Sequence, residues 1–150
     1  MASVFITYGS TTGNTAYVAE CVQRILEQNG HEVTVEDVAD IQATDLTKEY
    51  DLCCLGCSTW GEDEIELQDD FIPIFEDIEN TDLSGKNITC FGCGDSSYTY
   101  YCGAVDAIED ACKTQGATVF NESLKIDGDP KTEQSEIDAW ANELVTKLKS

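Results

Sequence analysis

Short apolar blocks alternate along the chain with stretches of helical spacing. Ser3–Tyr8 reads as a first strand. From Thr15 to Gln28, the residues Val18, Cys21, Val22, Ile25 and Leu26 share one helical face, and Gly30 follows as a helix stop. His31–Asp37 alternates polar and apolar around Val33 and Val35, the pattern of an exposed edge strand. Leu52–Cys57 is apolar on both faces, as a central parallel strand under two helical layers must be. Leu67–Glu79 carries Phe71, Ile72, Phe75 and Ile78 at helical spacing, with regular helix expected to begin near Pro73. Asn87–Cys93 is a second buried strand, Val105, Ile108 and Cys112 mark a helix closed by Gly116, and Thr118–Ile126 reads as an unbroken fifth strand. After Pro130, an apolar stripe from Ile137 through Trp140, Ala141, Leu144 and Val145 to Leu148 gives a final amphipathic helix. Strands alternating with helices predict a three-layer, doubly wound α/β domain with a five-stranded parallel sheet, covering residues 1–150 as one unit. Loops that follow the strands gather at one edge of such a sheet, where ligands bind.

Composition narrows the choice of ligand and partner. The chain has 150 residues, 41% of them hydrophobic, and 8 bases against 30 acids give a formal charge of −22. Phosphate backbones and anionic membrane surfaces are repelled by such a protein, so nucleic acid and membrane are excluded as partners. No apolar run approaches the ~20 residues of a spanning helix, and the first residues have neither the basic nor the long apolar region of a secretory signal. The cytoplasm is the expected compartment.

Eight cysteines include two C-x-x-C spacings, Cys54/Cys57 and Cys90/Cys93, with 32 residues between the pairs. That interval is far from a compact zinc ribbon. Both pairs also lie in strand-like runs, where residues i and i+3 point to opposite faces and cannot grip one metal. The expectation is buried thiols acting as small hydrophobes, and no metal site.

Three loops at the expected ligand edge carry unusual chemistry. The first, Gly9 to Thr15, presents Ser10, Thr11, Thr12, Gly13, Asn14 and Thr15 ahead of a helix N-terminus. Hydroxyls, an amide and backbone N–H groups in front of a helix dipole make an anion cradle. It lacks the Gly-Lys-Ser/Thr ending of a P-loop, the middle glycine of a dinucleotide fingerprint, and the Cys and Arg of a phosphatase loop. Neutral donors alone suit a retained phosphomonoester; a plain Ser/Thr-rich helix-capping turn accounts for this loop equally well. The second loop is Ser58-Thr59-Trp60-Gly61-Glu62-Asp63, and the third runs from Gly94 through Asp95, Tyr98, Tyr100 and Tyr101 to Cys102 and Gly103. An exposed tryptophan and clustered tyrosines beside glycines make walls for a flat aromatic ligand.

Ser10-Thr11-Thr12-Gly13-Asn14-Thr15, Ser58-Thr59-Trp60-Gly61 and Gly92-Cys93-Gly94-Asp95-Ser96-Ser97-Tyr98 together resemble the flavodoxin family over the full chain. The resemblance is to the short-chain type, and within it to flavodoxins of sulphate-reducing bacteria. It implies strand order 2-1-3-4-5 and a tightly but non-covalently bound FMN. By the same resemblance the first loop and Ser58 hold the phosphate, and Trp60 and Tyr98 enclose the ring. Backbone groups of Asp95, Tyr100 and Cys102 meet its pyrimidine edge next to Cys93 and Gly94, and the Gly61 carbonyl faces flavin N5. The implied function is low-potential one-electron transfer between the semiquinone and hydroquinone states, with no substrate turnover. Glu62 departs from the Asp, Asn or Gly that relatives often carry there.

Charge patterning adds a location. Residues 49–85 hold 12 acids and no lysine or arginine. Glu62, Asp63, Glu64, Glu66, Asp69 and Asp70 are the expected docking acids for basic redox proteins, such as c-type cytochromes and reductases, contacted by a monomer. Two other readings remain open on the residues. One is an FMN-dependent NAD(P)H:quinone reductase on the same fold, against which stands the absence of a cationic nucleotide site. The other is a phosphoacceptor receiver domain, which wants a lysine where Lys125 lies but also paired acids that Ile6-Thr7-Tyr8 does not supply.

Overall fold

The computed structural model describes residues 2–9, 13–60, 66–67, 69–94 and 103–148. β1 (Ser3–Gly9), β2 (Glu32–Asp37), β3 (Leu52–Cys57) and β6 (Asn87–Gly94) form a parallel sheet with β7 (Thr118–Val119) and β8 (Leu124–Asp127). Counted by strand position the order is 2-1-3-4-5. β2 is the edge that its alternating pattern predicts, paired to β1 from Ser3↔Glu32 through Tyr8↔Asp37.

Alternation along each strand builds two cores. One face collects Val4 and Ile6, Leu52 and Cys54, Phe91 and Cys93, and Leu124 and Ile126 under α1 (Asn14–Gln28) and α4 (Gln134–Leu148). The opposite face collects Phe5, Cys53, Leu55, Cys57, Ile88 and Cys90 under α2 (Ile72–Ile78), α3 (Gly103–Thr114) and two 3-10 turns, Val38–Asp40 and Ala43–Thr47. Each C-x-x-C pair is split between the faces: Cys54 and Cys93 lie on one, Cys57 and Cys90 on the other.

Two expectations need correction. The fifth strand is not unbroken. It stops at Val119 and resumes at Leu124, both parts pairing with β6. Between them the Asn121 side chain turns inward to accept a hydrogen bond from buried Thr89, and the Glu122 carbonyl accepts from Trp140 Nε1 at 2.7 Å. Those bonds draw the backbone off the ladder. Within 67–79 the regular helix begins beside Pro73 as expected: α2 starts at Ile72 with proline in its first turn, after a strand residue at Leu67 and a 3-10 turn at Asp69–Phe71. Proline lacks the N–H that a longer helix would need and fits the helix start. The Trp60 segment is more than a loop. β4 (Thr59–Trp60) pairs antiparallel with β5 (Glu66–Leu67), with Trp60 opposite Glu66.

Candidate functional site

The C-terminal edge of the sheet is where β1, β3 and β6 deliver their last residues. Parallel register sets Gly9 beside Cys57, and the Ser58 N–H continues the ladder to the Gly9 carbonyl at 3.3 Å. α1 starts just beyond. Its N-cap, Gly13, has φ 91°, a left-handed conformation that glycine adopts without steric cost. Its N-cap glycine has no side chain to cap with, and its first turn contains no acid. The following Thr15 is fully buried, and its Oγ1 lies 2.8 Å from Oγ of Ser58, itself buried. Two hydroxyls from segments 43 residues apart thus meet at a helix N-terminus whose dipole favours an anion.

Packing beneath this point leaves no slack. A Cβ on Gly92 would lie 2.2 Å from the Cys57 carbonyl oxygen and 2.6 Å from Val105 Cγ2, so β6 can approach β3 and α3 only as glycine. One strand turn later the Gly94 carbonyl accepts from the Gly128 N–H at 2.8 Å, which ties the loop after β8 to the end of β6. Gly9, Gly92 and Gly128 support the edge without having been singled out as site residues. The signal available for them was a glycine at or near a strand end. Acids dominate the local field: Tyr8, on the last turn of β1, has its phenol pushed up by burial and then by Asp37, Glu20 and Asp40.

Of the sequence-derived site residues, Gly13, Asn14, Thr15, Ser58, Cys93 and Gly94 all fall at this edge. Thr59 and Trp60 are placed there by the backbone of β4, and Glu66 and Asp69 by the backbone of the hairpin and the turn after it. Asp70 is exposed. Ser10, Thr11, Thr12, Gly61, Glu62, Asp63, Glu64, Asp95, Tyr98, Tyr100 and Cys102 lie outside the described residues. Among the described residues no helix is long and apolar enough to cross a membrane.

A doubly wound parallel sheet with neutral hydroxyls gathered at its first helix N-terminus defines a phosphate-cradling open α/β protein. The donor set fits the phosphate of a mononucleotide: hydroxyls and helix N–H groups bind a phosphomonoester without activating it for transfer. The flavodoxin family model matches residues 6–140, and the chain belongs to the flavodoxin family, whose cofactor is FMN and whose members are electron-transfer proteins. A flavodoxin of Nitratidesulfovibrio vulgaris (strain Miyazaki F) is 55% identical over 148 residues, covering 99% of this chain and 100% of the relative. One from Maridesulfovibrio salexigens is 52% identical over the same span and coverage. Among solved structures, oxidised Flavodoxin 2 from Bacillus cereus superimposes with a TM-score of 0.87 at 31% identity, covering 99% of this chain and 100% of that one. The similarity to the two proteins of sulphate-reducing bacteria agrees with the resemblance to the short-chain type.

Proposed function

We propose that the protein is a low-potential one-electron carrier working between the one-electron- and two-electron-reduced states of a non-covalently held FMN. Bound FMN supplies reversible electron transfer, and the polypeptide sets its affinity and potential. The observation that carries the reading is the buried Thr15–Ser58 hydroxyl pair at the start of α1. In this reading Ser10, Thr11, Thr12, Gly13, Asn14 and Thr15 together with Ser58 hold the phosphate. Thr59, Trp60 and Tyr98 enclose the ring, and Cys93, Gly94, Asp95, Tyr100 and Cys102 line its pyrimidine edge. The Gly61 carbonyl would accept a hydrogen bond from the flavin N5–H.

The acidic segment has two roles. Each carboxylate about 10 Å from the ring opposes added negative charge by about 0.4–1.7 kcal/mol, for dielectric constants of about 80 to 20. Glu62, Asp63, Glu64, Glu66, Asp69 and Asp70 also steer basic redox partners, such as c-type cytochromes and reductases, to this edge. A monomer suits a chain of net charge −22, which repels its own copies. The seven described cysteines are all buried thiols, in keeping with a reducing cytoplasm.

Titrating apoprotein with FMN and following stepwise reduction tests the reading. Stoichiometric binding is expected, with two well-separated one-electron steps. Neutralising Glu62, Asp63 and Glu66 together raises the second potential; a protein that binds no FMN, or whose second potential does not move, defeats the proposal.

A further inference from the structure

Seven of the eight bases fall among the described residues, and most are far from the cofactor edge. Lys86 Nζ donates to the Lys48 carbonyl at 3.2 Å at the opposite end of the sheet. Lys113 and Lys147 close the last turns of α3 and α4, and Arg24 lies well along α1. Lys131 precedes α4, with its Nζ 5.8 Å from the centroid of the Tyr17 ring. Lys125 stands apart. It sits within β8, in register with Gly92, and its Nζ contacts both carboxylate oxygens of Asp106, at 2.8 and 3.1 Å. Asp106 is in the first turn of α3, the helix that begins directly after residues 95–102. One ion pair therefore joins the strand beside the start of that segment to the helix at its end.

Stability gives little reason for the pair. The two side chains are 35% and 53% exposed, and an exposed ion pair contributes at most a small amount. An aspartate in a first helical turn is already favoured by the helix dipole, so the lysine adds little to the stability of that turn. The electrostatic consequence is larger. Asp106 and Glu109 lie one helical turn apart on α3. The Glu109 carboxyl is pushed up by burial and by Asp106, while Lys113 and Lys125 pull it down.

We propose that Lys125 is a positioning residue for the cofactor edge, holding Asp106 in place and offsetting the Asp106–Glu109 charge where reduction of the cofactor adds negative charge. This rests on the FMN reading above. Acids elsewhere at the edge oppose the second electron; Lys125 limits how far that opposition goes.

The test compares wild type with Lys125→Met, Lys125→Arg, Asp106→Asn and the double variant Lys125→Met/Asp106→Asn. The readouts are the second reduction potential at low and high salt, FMN affinity of the apoprotein, and apoprotein melting temperature. Lys125→Met is expected to weaken binding of two-electron-reduced FMN relative to one-electron-reduced FMN by up to about fivefold, the ceiling for an exposed pair. The potential becomes correspondingly more negative. Lys125→Arg restores it, adding Asp106→Asn to Lys125→Met restores it, and high salt shrinks the difference. An unshifted potential in Lys125→Met overturns the inference, as does a shift that persists in the double variant. A salt-independent shift that tracks a lowered apoprotein melting temperature also overturns it, because that is the mark of a purely structural role. A wild-type protein that binds no FMN overturns the underlying reading before any variant is compared, and this inference with it.

Discussion

The two faces of the sheet are made by alternate residues of the same strands, yet they are covered in different ways. One lies under two helices of 15 residues each, α1 and α4, and is filled by branched aliphatics, Phe91 and Trp140. The other lies under α2, of 7 residues, α3, of 12, and two 3-10 turns. Four thiols contribute to that second core, Cys53, Cys57, Cys90 and Cys112, against Cys21, Cys54 and Cys93 on the first. Long amphipathic helices present a wide apolar stripe and accept large side chains beneath it. Short helices and turns lie closer and less regularly, and a small apolar thiol fits the narrow spaces they leave. The functional edge draws on both covers: α1 of the first begins there, and α3 of the second begins after the end of β6.

The thiols offer the largest way to break this comparison. Burial pushes the Cys53 and Cys112 thiols from near 9 up to about 12, and Cys54 and Cys90 are pushed up for the same reason. Their folded values lie above the unfolded ones, so the contribution is fully present below pH 9. As pH rises from about 9 toward 12, the unfolded chain releases protons that the native protein keeps. Each such thiol then costs about 1.4 kcal/mol of stability per pH unit. Urea melts between pH 8 and 11 are expected to show a steep alkaline loss. In Cys53→Ala/Cys112→Ala that loss becomes shallower, and equal slopes in the two proteins would remove the second face's special sensitivity.

A second test sets neighbouring residues of β6 against each other. Phe91 faces the first core, its ring 5.9 Å from Trp140 and so close to Gly56 that a Cβ there would lie 2.3 Å from it. Cys90 faces the second. Phe91→Ala is expected to lose about 3–5 kcal/mol, because the ring fills space that no neighbour can reach. Cys90→Ala removes only a sulfur-sized group and loses about 1 kcal/mol. Chemical denaturation measures both. A Cys90 loss as large as that of Phe91 would mean that the second face is packed as tightly as the first.

How much of this could be read from the sequence follows the same division. The stripe of Val18, Cys21, Val22, Ile25 and Leu26 and that of Ile137 through Leu148 predict α1 and α4, and the run Leu52–Cys57 predicts β3 to the residue. Periodicity reports such elements because each buries one regular face. Residues 38–47 have no such period. Their 3-10 turns are set by local side-chain bonds, with Asp37 accepting from the Ala39 N–H and Asp45 from the Gln42 N–H, both at 2.9 Å. The hairpin of β4 and β5 has strands of two residues, too short for alternation to register. The break in the fifth strand depends on Thr89 and Trp140, 32 and 18 residues away from the groups they bind. At the site, glycines and hydroxyls left an anion cradle and a helix-capping turn equally open. That Thr15 and Ser58 touch follows only once the parallel register places the end of β3 beside the start of α1.

The smallest expected effect concerns one hydroxyl. Thr7 is fully buried in β1, on the strand parity of Phe5, and its Oγ1 has no hydrogen-bond partner among the described residues. An unpartnered buried hydroxyl forfeits the bonds it would make in water, whereas a methyl of the same shape does not. Valine keeps the β-branched outline and the strand preference of threonine. Thr7→Val is therefore expected to stabilise the protein by about 1 kcal/mol, read as a higher urea midpoint with an unchanged slope. Thr89→Val is the control on the opposite face. It removes the bond to Asn121 and leaves that amide's carbonyl buried without its donor, so it lowers the midpoint. The two substitutions are chemically identical and differ only in whether the hydroxyl has a partner. A loss at both positions would show that Thr7 is satisfied on the second face, through a bound water or a small shift of its irregular cover.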